Sequence, residues 1–152
     1  MIKGITMVEV EEMNDDDSKK LLGRIGYGHL GMVLDTHPYV VPINYAYDDP
    51  HVYIYTTEGE KTEIIEVNLE VCLQVEEVTD KKHWQSVIVL GDAVQLTEKK
   101  GIARAMKFIR ATNPNLTPAM SIHWMDDWVR SNHEVVYRIT PTMISGRMTT
   151  GR

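Results

Sequence analysis

Residues 39–68 read YVVPINYAYDDPHVYIYTTEGEKTEIIEVN, and this stretch decides the fold. From Tyr39 to Tyr47 the odd positions are Tyr, Val, Ile, Tyr and Tyr, against Val40, Pro42, Asn44 and Ala46 on the even ones. Such period-two alternation predicts a strand. Asp48-Asp49-Pro50 predicts a tight turn, and His51 to Thr57 a return strand. Pro42 cannot donate to a ladder, so the first strand is expected to be an edge there, or bulged. Its backbone is then free to contact something other than a strand. Thr57 and Glu60 fit a capping box for a helix running to about Val67, with Asn68 ending it.

Hydroxyls, a glycine and a lysine thus meet where a strand becomes a helix. Two readings of TTEGEKT are open. In one it is a phosphate cradle: unpaired N–H groups and the helix dipole favour an anion, Gly59 lets backbone approach, and Lys61 adds charge. In the other it is a capped surface helix whose lysine is solvated, with Glu58 and Glu60 already satisfying the dipole.

Outward from this stretch, Asn14 to Leu22 predicts a short helix, with Asn14 as cap and Asp15 to Asp17 at its positive end. Gly23, Gly26 and Gly28 are expected to stop it. Tyr27 to Leu34 predicts a strand and Asp35-Thr36-His37-Pro38 a turn. Val71, Leu73 and Val75 alternate with polar neighbours in another strand. Gln85 to Leu96 is apolar on both faces, which predicts burial of both, the outer one by a helix or another subunit. Thr97 caps a helix carrying Ile102, Ala105, Met106, Phe108 and Ile109, and Asn113-Pro114 ends it. Thr117-Pro118 starts another with Met120, Trp124 and Trp128 on one face. Glu134 to Thr140 is a final strand, followed by a tail from Met143 to Arg152. About six strands with interspersed helices predict an α+β protein on a small antiparallel barrel.

The totals narrow the function. The chain has 152 residues, 43% hydrophobic and 25% charged, as expected for one soluble domain. Its 22 acidic and 16 basic side chains leave a net charge of −6, without a basic block, which argues against nucleic acid or anionic membranes as partners. The N-terminal residues lack an apolar signal core, and one cysteine, Cys72, precludes an internal disulfide; a cytoplasmic location is expected. Cys72 reads as a structural thiol before a nucleophile. Six scattered histidines show no HxxxH spacing, so a zinc site is not expected. Gly26-Tyr27-Gly28 precedes a strand, where a dinucleotide loop would open a helix. A GxSxG elbow is lacking.

Taken in order, GYGHLGMVLDTHPYVVPINYAYDD, VYIYTTEGEKTEIIEVNLEVCLQVE and WQSVIVLGDAVQL resemble the pyridoxamine 5′-phosphate oxidase-like flavin-binding split barrels. Among these the chain looks most like the branch of nitroimidazole-reductase-like and flavin-nucleotide-binding proteins. The resemblance implies a six-stranded split β-barrel with peripheral helices, flavin mononucleotide (FMN) as cofactor, and a homodimer with two flavin sites at its interface. It implies that Val41, Pro42, Ile43, Asn44 and Tyr45 border the flavin ring, partly through backbone groups. Thr56, Thr57, Lys61 and Thr62 would hold the phosphate, and Gln85, Ser86 and Val87 would pass beside ring and phosphate. Glu60 departs from the oxidases, which carry a second basic residue there. Val and Pro also replace basic strand residues, so pyridoxamine phosphate itself is not the expected substrate. The implied activity is hydride transfer from reduced nicotinamide or another donor to a small acceptor, such as a nitroaromatic compound or a quinone. Alternatives are a non-catalytic flavin store or redox sensor, the same barrel holding haem or a deazaflavin, and a structural dimer with an empty pocket.

Overall fold

The computed structural model describes residues 9–57, 64–66, 68–112 and 134–150. Along the chain these form β1 (Val10–Glu12), α1 (Asp15–Ile25), β2 (Tyr27–Leu34), β3 (His37–Asp48), β4 (His51–Thr57), β5 (Glu70–Asp80), β6 (His83–Gln95), α2 (Lys99–Thr112) and β7 (Glu134–Thr149). One antiparallel sheet runs β1-β7-β4-β3-β2-β5-β6, and a further β6–β7 pairing closes it. The ring therefore has six strands, as expected, with β1 as a short addition on β7. Closure removes the sheet edges that would otherwise invite pairing with other chains.

Alternation along each strand fills the ring. Leu30, Ile43, Tyr45, Ile54, Leu73, Val75, Val87, Val89 and Ile139 all point inward and are 2% exposed or less. Helix α1 packs against this core with Leu21 and Leu22, at 1% and 0% exposure. Asn14 caps the helix by accepting from the Asp17 N–H at 2.8 Å, and Gly26 ends it in the left-handed region at φ 73°. The helix runs past Gly23, which the sequence alone suggested as a stop. A helical glycine costs about 1 kcal/mol, and burial of two leucines outweighs that.

At the far end of α1 the last four carbonyls lack helical partners. The buried Tyr45 hydroxyl donates to one of them, Leu22 O, at 2.8 Å. Burial raises the pKa of this phenol well above the usual tyrosine range, so it stays a donor. Tyr45→Phe should leave that carbonyl unsatisfied and cost about 1–2 kcal/mol, read as a lower urea midpoint at unchanged slope.

One boundary differs from expectation. The tail from Met143 is strand: β7 continues to Thr149, pairing with β6 and β1. Pro141 lies at a register shift, opposite Gly91, while the next ladder pair is Leu90 with Met143. The extra residue, Thr142, is bulged, and its hydroxyl donates to Leu90 O at 3.2 Å. On β6 the inner residues Val87 and Val89 are buried, while the outer Ile88, Leu90 and Val94 are 37–46% exposed in the single chain. Among the described residues no helix covers that face, since α2 packs on β3 and β4.

Ala105 and Ile109 of α2 are buried, and the Glu98 carbonyl accepts from Ile102, so the helix starts slightly beyond Thr97. Residues 64–66 are helical, and Asn68 ties that turn down: its N–H donates to Ile64 O at 2.9 Å and its amide to Val33 O at 3.1 Å. The capping box at Thr57–Glu60 and the Trp124/Trp128 helix lie outside the described residues.

Candidate cofactor site at the split between two strands

Strand β3 changes partners along its length. From His37 to Asn44 it pairs with β2; from Tyr45 to Asp48 it pairs with β4. The β3–β4 ladder stops at Tyr45 and Ile54, although both strands continue. The barrel is split there, with Val41 to Asn44 on one lip and Thr56 and Thr57 on the other. Tyr45 donates its N–H to Gly26 O, on the β2 side. By strand alternation the even residues Val40, Pro42 and Asn44 turn their backbone groups toward the split. Pro42 thus sits where a missing donor breaks no ladder, as anticipated.

Side chains divide between the faces. Ile43 and Tyr45 point into the core, at 2% and 0% exposure, Val41 packs partly against it, and by the same alternation their backbone groups face β2, so toward the split the backbone offered is that of the even residues. Pro42 and Asn44 point outward; Asn44 is nonetheless 1% exposed. Thr56 and Thr57 close β4, pairing with Val135 and Glu134. Lys61 and Thr62 lie outside the described residues.

The remaining predicted residues occupy β6. Val87 is buried in the core, Ser86 faces outward, and Gln85 lines a cleft of about 200 Å³ with Trp84, Glu77 and Thr149. Register gives the distance to the split. Pro42 pairs with His29, His29 with Gln74, and Gln74 with Ile88. Three strand steps of about 4.8 Å separate the Pro42 strand from β6, roughly 14 Å along the sheet. The fold therefore puts both groups on one barrel without bringing them into contact.

Between them lie residues that sequence reasoning missed. His29 is exposed on the outer face, and its ring meets Tyr27 edge-on at 5.7 Å. Gln74 donates to the Ser86 hydroxyl at 3.1 Å, which fixes that hydroxyl on the outer face. The period-two pattern placed both on this face, but only pairing register sets them beside Pro42 and Ser86. A shallow apolar groove of about 330 Å³ adjoins, lined by Val33, Val40, Cys72 and Leu90. Partial burial raises the Cys72 thiol pKa, which lowers its thiolate fraction and fits a structural thiol. Among the described residues no three His, Cys, Asp or Glu cluster as a metal site, and no helix is long and apolar enough to cross a membrane.

Comparison with known proteins agrees with this architecture. A crystal structure of an FAD-binding protein from Mesorhizobium loti superposes with a TM-score of 0.78, at 28% identity, covering 95% of this chain and 99% of that one. A Bacteroides thetaiotaomicron protein, provisionally described as a 5-nitroimidazole antibiotic resistance protein, shares the fold with a TM-score of 0.73 at 17% identity, covering 95% and 90%. An uncharacterized protein of Rhizobium meliloti (strain 1021) is 28% identical over 92 residues, 60% of this chain and 61% of that protein. The alignment thus spans about three-fifths of that relative's length. The family profile described as pyridoxamine 5′-phosphate oxidase matches residues 14–148, nearly the whole chain, and the chain belongs to that family of split barrels.

Proposed function

We propose that this protein is a flavin-dependent oxidoreductase acting as a homodimer, with FMN as cofactor. The observation that carries the reading is the lip of β3 at Val40 and Pro42, which among the described residues pair with β2 and not with β4, so that no ladder occupies their β4-facing side. A planar, hydrogen-bonding ring fits such a lip better than a side chain does. The strand of Val41, Pro42, Ile43, Asn44 and Tyr45 would border the ring, partly through the backbone of its even residues. Thr56 and Thr57, with Lys61 and Thr62 beyond them, would hold the phosphate. When bound, the flavin supplies hydride transfer between a reduced nicotinamide and a small acceptor such as a quinone or nitroaromatic compound. The chain's own residues bind, orient and exclude water: Pro42 keeps the lip unpaired, and Gln74 fixes the Ser86 hydroxyl.

Exposed apolar side chains on the outer face support self-association. Val40 is 64% exposed, Val78 58% and Ile88 40%, an apolar surface that a second copy would cover. A partner copy would also bridge the three-strand gap, bringing its own Gln85, Ser86 and Val87 to the split.

A second reading, FAD in place of FMN, is favoured by the M. loti neighbour, described as FAD-binding and matching 95% of this chain. One preparation separates them. The protein as purified should show flavin absorption bands, and chromatography of the released chromophore identifies FMN or FAD. NADH or NADPH oxidation with an added quinone supports the enzyme; bound but inert flavin supports a store or sensor. Lys61→Glu should weaken flavin binding by about tenfold or more, since a charge-assisted phosphate contact contributes about 1.5–3 kcal/mol. Unchanged flavin affinity in that variant would remove the phosphate assignment.

A further inference from the structure

The structure assigns a second binding site, for a small carboxylate, to the cleft between the first turn of α2 and the outer face of β4 and β7. This cleft of about 300 Å³ is lined by Arg138, Arg104, His51, Tyr53 and Gly101 together with the carboxylates Asp48 and Asp49. It lies at the hairpin end of β3 and β4, where Asp48 pairs with His51, away from the split at Val41 to Ile43.

The charges around it are unevenly matched. Asp48 is held by Arg104 at 3.4 Å, and Asp49 by Lys19 at 3.5 Å. Arg138 makes none of the ion pairs between described residues. It lies cross-strand from Tyr53 on one side and Val94 on the other. Its Nε is buried and has no hydrogen-bond partner. A buried, unsatisfied polar group costs about 1–3 kcal/mol, and native structures keep few of them. One cationic donor is therefore left over in a lined cleft whose two carboxylates are already neutralised.

The guanidinium fork selects the ligand class. Its two terminal nitrogens, beyond the buried Nε, together match the two oxygens of a carboxylate. Arg104 remains on Asp48 at 3.4 Å and keeps that carboxylate neutralised, so Arg138 supplies the cation. Tyr53 and His51, whose rings lie 6.2 Å apart and are tilted by 59°, offer an angled aromatic wall to the organic part of the ligand. Gly101 keeps the entrance clear: a Cβ added there would meet nothing within 4 Å.

The test uses the protein as purified, with acetate and benzoate as probes at constant ionic strength. The readout is the Nε–H resonance of Arg138, identified by its loss in Arg138→Lys. A saturable shift with a dissociation constant in the millimolar range (about −4 kcal/mol) or tighter is expected. Gly101→Leu, which occupies the cleft without altering charge, should weaken binding at least about tenfold with unchanged circular dichroism, and Arg138→Lys should weaken benzoate binding, read by its effect on protein fluorescence, by a similar factor. A resonance unmoved up to about 100 mM, or a shift of equal size in Gly101→Leu, overturns the assignment. So does a response to inorganic phosphate but to neither carboxylate. None of these readouts depends on flavin, so the result stands whatever the split binds.

Discussion

Val89→Asp should abolish folding, whereas Ile88→Asp should leave a folded chain that no longer self-associates. The two residues are neighbours on β6 and face opposite ways. Val89 is 1% exposed inside the barrel, among Leu73, Val87 and the other core residues. A carboxylate there has no polar partner, and burying it costs about 4 kcal/mol or more. That is a large share of the roughly 5–15 kcal/mol by which a domain of this kind is stable. Ile88 is 40% exposed on the outer face, so its replacement should change monomer stability by about 1 kcal/mol or less. In a dimer covering that face the same carboxylate would be desolvated, and the assembly should dissociate. Urea unfolding reads the first effect, and light scattering at matched concentration the second. A folded Val89→Asp protein contradicts the barrel core; a dimeric, flavin-loaded Ile88→Asp protein contradicts the proposed interface.

Gly28→Ala should cost on the order of 3 kcal/mol, although it adds a single methyl group. A Cβ on Gly28 would stand 2.5 Å from the backbone carbonyl oxygen of Gln74 and 3.0 Å from Val75 Cγ2. Backbone cannot rotate aside as a side chain can, so β2 and β5 must separate. Both carry the outer row between Pro42 and Ser86, so the variant should also lose flavin in step with its stability. Gly23→Ala is the control. It too adds one methyl group, but nothing lies within 4 Å, and the site is helical. It should stabilise the protein by about 0.5–1 kcal/mol. For a domain of this size that is a rise of a few degrees in Tm, at roughly 2–4 °C per kcal/mol. Equal effects of the two substitutions would refute the close β2–β5 approach.

The contrast between these glycines shows what could be read before folding. In sequence both were breakers. Pairing alone distinguishes them: Gly28 lies under a neighbouring strand, and Gly23 on an open helical surface. The same holds for the segment from Met143, expected as a tail, which continues β7 beyond the bulge at Gly91 and Pro141. Local patterns report what one segment prefers by itself. They do not report which segment lies beside it.

Sequence by itself determined which residues turn inward in Tyr39 to Tyr47 and in Val71 to Val75, because alternation is a property of each strand alone; β6, apolar on both faces, was assigned its inner side by the fold. Sequence also determined that Pro42 could not sit in a closed ladder. Tertiary structure decided the rest. It set where β3 leaves β4, which residues stand beside Pro42, and that the outer side of β6 is open in one chain. It also left Arg138 with a buried nitrogen lacking a partner, at a distance from the split. Register and burial arise from contacts between residues far apart in the chain, and those form only when the barrel closes.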